Sequence, residues 1–150
     1  MGMNMVGEIE LAAPRQTIWV MLNDPEILKQ CIPGCESLEK DTDGSLVAVA
    51  TNKVGPIRAK FKGRVLLLDL DPPNSYRISG EGDGGIAGFA KGNALVKLEE
   101  VSADVTRLTY EVDAQIGGKL AQLGQRLVNS VAKKLADQFF ERFGSEAAKS

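Results

Sequence analysis

The chain has 150 residues, enough for one domain that buries roughly two thirds of its surface, and we expect a single domain over residues 1–150. Its 18 basic and 20 acidic residues give a formal charge of −2, which argues against nucleic acid as a partner because phosphate binding needs a basic surplus. Histidine is absent, which excludes Ser-His-Asp and Cys-His catalysis and removes the commonest zinc and iron ligand. We therefore predict no catalytic residues and no metal site.

The first predicted elements are a strand and two short helices. Residues 6–11 alternate between apolar and acidic side chains, with Ile9 and Leu11 toward the core, as in a strand with one wet face. Pro14 suits the first turn of a helix, where its missing N–H costs nothing. Asp24 is placed to cap a second helix that has a proline at its first position and stops at the Pro-Gly pair 33–34.

Two cysteines, Cys31 and Cys35, lie four residues apart around that Pro-Gly pair. The spacing is not that of a CxxC redox motif, and two thiols without histidine supply only half a zinc site. We expect two reduced thiols in the loop that ends the second helix.

No segment of the sequence has the character of a targeting or membrane-spanning element. The first residues lack the charged and apolar regions of a signal peptide. The longest unbroken apolar run, residues 65–68, is far too short to cross a bilayer. We therefore expect a cytoplasmic protein.

Turn-forming residues separate successive strands between residues 35 and 116, which predicts an antiparallel meander. Helical periodicity then begins near Gly118 and continues to about Phe143. At ~1.5 Å per residue, about 26 residues span roughly 39 Å, long enough to lie across a curved sheet. The predicted fold is α+β with a helix-grip architecture: a curved antiparallel sheet wrapped around a long C-terminal helix, with two short helices after the first strand.

Period-two alternation places many small residues on the inward face of the middle strands. These residues are Ala59, Gly63, Gly80, Gly82, Ala90, Gly92, Ala94 and Ala114. Close-packed cores fill such positions with larger side chains, so the pattern indicates either a cavity or an unusually close approach of the helix. We favour a cavity that takes a small hydrophobic ligand. Alternation lapses at residues 66–68, which suggests a bulge or burial on both faces.

Positive charge is concentrated on two surfaces. Arg58, Lys60, Lys62 and Arg64 alternate along one strand, a pattern typical of a solvated strand face. The outer face of the C-terminal helix also carries a basic surplus, which suits contact with anionic lipid or an acidic partner. Neither surface predicts an autonomous membrane anchor.

Four ordered blocks, residues 22–39, 54–65, 72–98 and 117–143, resemble the carbon monoxide dehydrogenase CoxG family of the START-like (SRPBCC) superfamily. The first block reads LNDPEILKQCIPGCESLE, and the third contains GEGDGGIAGFAKGNA. The resemblance implies a START-like fold with a hydrophobic cavity. It also implies a non-catalytic accessory protein of a molybdenum hydroxylase of the CO dehydrogenase type.

The implied role is membrane recruitment, maturation or electron delivery to quinone. The resemblance implies peripheral contact with the inner face of the cytoplasmic membrane. No covalently bound cofactor is implied, and a quinone or lipid-like molecule is the expected ligand.

For the ligand site we predict an apolar wall interrupted by glycines that leave room. Its predicted residues are Phe61, Gly63, Tyr76, Gly82, Phe89, Gly92, Leu120, Leu123 and Leu127. Two loops are predicted at the cavity mouth, formed by Val54, Gly55, Pro56, Gly84 and Gly85. Tyr76, Tyr110 and Asn93 are candidate polar partners of the ligand, although alternation points Asn93 outward. Replacing Gly92 by leucine is expected to fill the cavity and preserve the fold.

Two alternative functions stay open at this point. START-like folds include small-molecule enzymes, and Glu81 and Asp83 are the carboxylates nearest the predicted mouth, although alternation points them outward. The other alternative is an adaptor without a ligand, which binds a large oxidoreductase through the basic strand face. Such binding weakens with salt, because charges beyond about 10 Å are screened at 0.1 M ionic strength.

Overall fold

The computed structural model describes residues 1–150 and contains seven strands, four α-helices and one short 3-10 turn. In chain order the elements are β1 (Gly2–Leu11), α1 (Arg15–Leu22), α2 (Pro25–Cys31), β2 (Cys35–Lys40), β3 (Leu46–Val54), β4 (Ile57–Asp71), β5 (Ser75–Asp83), the 3-10 turn (Gly85–Ala87), β6 (Phe89–Ser102), β7 (Val105–Gly117), α3 (Lys119–Gln122) and α4 (Gln125–Ala148). None of the helices combines the length and apolar character needed to cross a bilayer.

All seven strands form one antiparallel sheet in the order β1-β7-β6-β5-β4-β3-β2. From β2 to β7 each strand pairs with the next along the chain, so the predicted meander is confirmed. β1 pairs with β7 and brings the N-terminal residues to the far edge, where Leu11 lies opposite Thr106. The sheet curves around the C-terminal helix, and the predicted α+β helix-grip fold is confirmed.

The two short helices begin near the predicted capping residues. Asp24 caps α2 by accepting the N–H of Glu26 on its Oδ1 atom at 3.0 Å, and Pro25 is the first helical residue, as predicted. Pro14 lies one position earlier than predicted. It is the N-cap of α1, with extended backbone at φ −61° and ψ 150°, and the helix itself begins at Arg15.

Both cysteines are free, as predicted. Cys31 ends α2 inside the core, where burial raises the pKa of its thiol and Glu146 raises it further. Cys35 is half-buried, and desolvation also raises its pKa.

The prediction of one continuous helix over residues 118–143 is wrong. Gly118 and Gly124 have φ of 72° and 93°, so the chain leaves helical geometry on both sides of α3. The long helix α4 starts only after Gly124 and continues to Ala148. Periodicity missed the break because the apolar spacing of the leucines runs across it.

Of the two alternatives expected for residues 66–68, burial on both faces is wrong, and the bulge lies just beyond them. Leu66 and Leu68 are exposed on the outer face, whereas Leu67 packs against the core, so alternation continues through this stretch. The register irregularity lies further along, between Leu68 and Asp71, where Asp69 adopts φ 52°.

The buried residues form two separate clusters. The main cluster contains thirteen buried residues, among them Trp19, Tyr76 and Phe143, and packs α1 and the C-terminal part of α4 against the sheet. A second cluster of four, Met3, Ile116, Leu120 and Val128, lies at the N-terminal end of α4. The middle of the sheet, between the clusters, carries the predicted small residues.

Candidate functional site

An apolar cavity of about 360 Å³ lies on the middle strands of the sheet. The residues that line it are Gly63, Val65, Ile78, Gly80, Glu81, Gly82, Ala90, Lys91, Gly92, Asn93, Ala94, Val112 and Ala114. Its volume is at the lower end of the range of ligand pockets, roughly 300–1,000 Å³.

The strand register explains why space remains here. One row of paired residues crosses β4, β5 and β6, and it consists of Gly63, Gly82 and Ala90. The next row runs from Gly80 through Gly92 and Ala114. Two adjacent rows without a large side chain leave the sheet surface bare over three strands, and a packed core would place leucine or isoleucine there.

The long helix passes over this bare surface without filling it. Val128 of α4 packs in the second cluster and Phe143 packs in the main cluster. Val131 and Leu135 lie between them on the same helix face and are half-buried. The principal contacts of α4 are with α2 and β1, at the two edges of the sheet. The cavity is therefore lined by the sheet alone and opens toward the helix.

The nine predicted wall residues occupy four different places. Gly63, Gly82 and Gly92 line the cavity. Tyr76 lies in the main core cluster, where its ring meets Trp19 edge to face at 5.5 Å between centroids. Tyr76 lies two residues before Ile78, a residue of the cavity lining, on the same strand face. Their Cα atoms are about 7 Å apart along the strand.

Phe89 lies away from the cavity, on the outer face of the sheet. Its ring is 45 % exposed and covers Gly117, where a Cβ atom would overlap the aromatic carbons. The reason is alternation along β6: Ala90 faces inward, so its neighbour Phe89 faces outward.

The remaining wall residues and the predicted mouth loops meet at the end of the molecule that holds the second cluster. Phe61 and Leu123 pack against that cluster, and Leu120 belongs to it. A Cβ atom on Gly55 would lie 2.8 Å from Leu127 Cδ2, which shows how closely the β3–β4 turn approaches the start of α4. Two further contacts close this end.

Val54 is among the apolar residues that pack on the second cluster, and Gly84 lies against the ring of Phe61. Pro56 and Gly84 line a shared groove outside it, whereas a Cβ atom on Gly85 would meet nothing within 4 Å. The predicted mouth is therefore closed by apolar contacts in this structure.

The structure corrects the expectation for leucine at position 92. A Cβ atom on Gly92 would overlap the carbonyl oxygen of Asp113 and the backbone of Ala114, so this glycine lets β6 and β7 approach. Leucine here would disturb the sheet instead of preserving the fold. Gly82 differs, because a Cβ atom there meets nothing within 4 Å.

The inward face of the cavity carries no titratable side chain. Glu81 and Lys91 have the outward parity of their strands and are exposed. Asp83 is also exposed, and its Oδ1 atom accepts the N–H of Gly85 at 2.8 Å. Asn93 is exposed on the outer face. A ligand in the cavity therefore meets aliphatic carbon and the main chain of the strands.

The two tyrosines near the cavity have different surroundings. Tyr76 is 4 % exposed, and burial raises the pKa of its hydroxyl far above the ordinary range. That hydroxyl forms no hydrogen bond within the chain. Its oxygen atom is not completely shielded from solvent. Tyr110 stacks on Phe140 of α4 at 5.3 Å, and burial followed by the charge of Asp137 raises its pKa.

Sequence reasoning omitted three larger residues of the lining. Val65, Ile78 and Val112 complete the apolar surface around the glycines. The signal that identifies them is the same alternation that placed Gly63 and Gly82 inward, because all five share the inward parity of their strands.

Comparison with known proteins places the chain in a family. The carbon monoxide dehydrogenase CoxG family matches residues 7–148. A conserved protein from Geobacillus kaustophilus has a similar structure, with 35 % identity, a TM-score of 0.93, and coverage of 99 % of this chain and 97 % of that one. None of the curated proteins matches this sequence.

More distant similarities concern the fold alone. A START superfamily protein from Mycobacterium smegmatis has a TM-score of 0.73 at 15 % identity, with 97 % of each chain covered. The ZhuI aromatase/cyclase from Streptomyces sp. R1128 has a TM-score of 0.71 at 17 % identity, covering 98 % of this chain and 94 % of that one. With the family matching all but the first six and last two residues, the chain belongs to the carbon monoxide dehydrogenase CoxG family.

Proposed function

We propose that this protein is a non-catalytic carrier of a small hydrophobic ligand, an accessory of a molybdenum hydroxylase of the CO dehydrogenase type. The observation that carries the proposal is the apolar cavity of about 360 Å³ over two rows of small residues. Keeping those rows small leaves apolar surface unpacked, which lowers stability and is retained where a ligand takes up the space.

The chemistry of the lining supports a quinone or lipid-like ligand. Aliphatic carbon from Val65, Ile78 and Val112 suits a flat ring or an acyl chain. The glycine rows let a ring lie directly on the strand backbone. The volume suits one or two fused rings with part of a tail outside.

Tyr76 is the polar partner that we propose for this ligand. Its hydroxyl has no partner in the chain, and Tyr76 lies about two residues beyond the cavity lining on the same strand face. A quinone carbonyl that accepts this O–H is held by one directed contact in an otherwise apolar site.

The family supports the role that we propose in the cell. CoxG proteins are named as subunits of carbon monoxide dehydrogenase, which supports association with an enzyme of that type. We propose that the protein acts in the cytoplasm and touches the inner face of the membrane, where quinone and lipid are available. It would assist recruitment, maturation or electron delivery to quinone.

Catalysis and a ligand-free adaptor are weaker alternatives on this geometry. Of the candidate carboxylates, Asp83 lies outside the cavity, and Glu81 lies at its margin with the outward parity of its strand. The basic strand face is partly neutralised by its own chain, because Lys60 pairs with Glu36 at 3.4 Å and Arg64 pairs with Asp41 at 3.2 Å. A carrier accounts for the small-residue rows, whereas an adaptor without a ligand does not.

The test has two parts, extraction and cavity filling. Mass spectrometry of an organic extract from natively purified protein should find a stoichiometric quinone or lipid. Titration with decylubiquinone should then quench the fluorescence of Trp19, the single tryptophan of the chain. Gly82→Leu should weaken this binding at least tenfold, because the added side chain takes up the volume that the ring needs.

Gly82→Ala is the matched control for this substitution. A single methyl group fits the open space at Gly82 and leaves room for the ring, so binding should change less than threefold. Both variants should keep the circular dichroism and cooperative unfolding of the parent. Full quinone affinity in a folded Gly82→Leu protein, or an empty extract together with no quenching, contradicts the proposal.

A further inference from the structure

The outer side of β1 is an open edge of the sheet. β1 pairs with β7 on one side in a continuous register, and no strand lies on its other side. Met1 and Ile116 exchange two main-chain hydrogen bonds, of 2.7 and 3.1 Å, so alternation along the ladder directs the even-numbered residues of β1 away from β7. The residues that face the open edge are Gly2, Asn4, Val6, Glu8 and Glu10.

Most main-chain groups at this edge have no partner in the chain. The carbonyl oxygen of Gly2 accepts a hydrogen bond from Gln125 Nε2 at 2.7 Å, which confirms the direction of the edge. No other side chain, and no main-chain group outside β7, bonds to the main chain of residues 3–10. The edge-facing N–H and C=O groups of residues 4, 6 and 8 are therefore unpaired. An edge of this kind is a template for pairing with another chain.

β1 lacks the features by which edge strands usually prevent such pairing. It contains no proline, no lysine and no bulge, and the middle of its edge carries Val6, which is 76 % exposed. The only charged residues, Glu8 and Glu10, lie in one half of the strand. Both carboxylates pair with Arg107 of β7, at 2.8 and 3.6 Å, which reduces their repulsion of an incoming strand.

We infer that the open edge of β1 binds the same edge of a second copy of this chain, antiparallel and with Val6 on a two-fold axis. The two Val6 residues then exchange two main-chain hydrogen bonds, and their side chains touch on the outer face of the sheet. Asn4 of one copy lies opposite Glu8 of the other, where its amide N–H donates to the carboxylate. The two seven-stranded sheets join into one continuous sheet.

The order of side chains along the edge favours a second copy as the partner. With Val6 at the centre, Glu10 lies opposite Gly2, every edge residue is paired, and no two carboxylates face each other. A shift in either direction leaves edge residues unpaired, and a centre at Glu8 opposes two glutamates, which destabilises pairing. The edge is thus complementary to itself in one antiparallel register, as a two-fold contact requires. The contact does not involve the cavity, so it is independent of the proposed carrier function.

Sedimentation velocity of the full chain from about 1 µM to about 1 mM tests the inference. The parent should change from monomer to dimer in this range, since one strand pair is a small interface. Val6→Pro should weaken dimerisation at least about tenfold, because it removes the central N–H of both copies. That N–H faces the open edge, so the β1–β7 ladder is kept.

Val6→Thr is the matched control for the proline variant. Threonine keeps the N–H and the preference for a strand, so dimerisation should change less than about threefold. Both variants should keep the circular dichroism and cooperative unfolding of the parent at low concentration.

Asn4 tests the register of the contact. Asn4→Lys should tighten dimerisation about threefold and Asn4→Glu should weaken it about threefold, because the charge lies opposite Glu8 of the other copy twice across the axis. Asn93→Lys and Asn93→Glu change the net charge equally and are the controls. Asn93 is exposed on the same outer face but lies on the interior strand β6, so these variants should dimerise as the parent does.

Hydrogen exchange at single amides shows whether this edge is used. In the monomer the amides of Asn4, Val6 and Glu8 should exchange at once, whereas β7 protects those of Met5 and Gly7. Where the dimer forms, the first three amides should become protected as well. A dimer that leaves them unprotected, or that forms equally well in Val6→Pro and Asn4→Glu, overturns the inference. A parent that stays monomeric also overturns it and leaves the edge to an extended segment of another protein.

Discussion

Glycine serves two opposite purposes at the level of single residues in this sheet. Gly92 is required because β7 lies too close for any side chain, whereas Gly82 faces open space. Both occupy the same alternation pattern in the sequence, so the pattern alone cannot separate them. Engineering of the cavity therefore has to begin at Gly82.

Tyr76 provides a residue-scale prediction about pH. Its pKa is raised in the folded protein, so the folded state keeps a proton that the unfolded state loses above about pH 10. The stabilisation is complete below that pH and is lost as the pH rises further. Tyr76→Phe removes this contribution. Between about pH 10 and 11.5, the free energy of unfolding should therefore fall less steeply with pH in the variant than in the parent. The two slopes should differ by about 1.4 kcal/mol per pH unit.

Urea unfolding at pH 7, 10 and 11.5 measures this difference. At pH 7 the substitution should change stability by less than about 1 kcal/mol, since the hydroxyl has no partner in the chain. Tyr110→Phe is the comparison, and its effect on the slope should be smaller because Tyr110 is only half-buried. Cys31 and Cys35 titrate in the same direction and remain in both variants. Identical slopes in Tyr76→Phe and the parent contradict the prediction.

The break between α3 and α4 is a feature of whole elements. Gly124 has φ 93° and ψ 155°, a backbone conformation that only glycine adopts easily, and a Cβ atom there meets no neighbour. Gly124→Ala should therefore lower the free energy of unfolding by about 1–3 kcal/mol through backbone strain alone. Thermal and urea unfolding measure the change.

Gly144 supplies the matched glycine for this experiment. It lies inside α4, and a Cβ atom would make an ordinary 3.7 Å contact with Leu11 Cδ2. Gly144→Ala should raise stability by about 1 kcal/mol, since alanine favours the helix. Loss of stability in both variants, or in neither, contradicts this distinction between a break and a helix interior.

The element order was predictable, and the helix break was not. Turn-forming residues marked the strand ends, and alternation placed Gly63 and Gly82 inward, because strand geometry leaves one parity for each face. The helical spacing of the leucines continues across Gly124, so the sequence does not show the break. Only the positive φ of Gly124 reveals that the helix is interrupted there. Leu66 and Leu68 were misread for a related reason: apolar character does not require burial.

The molecule as a whole is built from two clusters of unequal size. Thirteen buried residues hold the main cluster and four hold the second. Local opening requires less free energy where fewer apolar contacts break. Amides of α3 and the first turn of α4 should therefore exchange with deuterium sooner than those around Phe143.

Hydrogen exchange followed by mass spectrometry measures this order at neutral pH. The amides at Leu120 and Val128 should exchange by local opening, with little dependence on added urea, and those near Phe143 should require global unfolding. Equal protection at both ends indicates a single cooperative unit. That result contradicts the prediction that the second cluster opens before the main cluster.

The sheet order has a last consequence, for the range of molecules that the protein accommodates. β1 and β2 are the two free margins of the sheet, and no ladder of hydrogen bonds joins them. They are connected through side chains, by α4 against β1 and by α2 between α4 and β2. Because packed side chains and not hydrogen bonds connect the two margins, we expect them to separate by sliding while every strand pair stays intact. We therefore expect the proposed ligand site to accept molecules of different widths, unlike a closed barrel of fixed diameter.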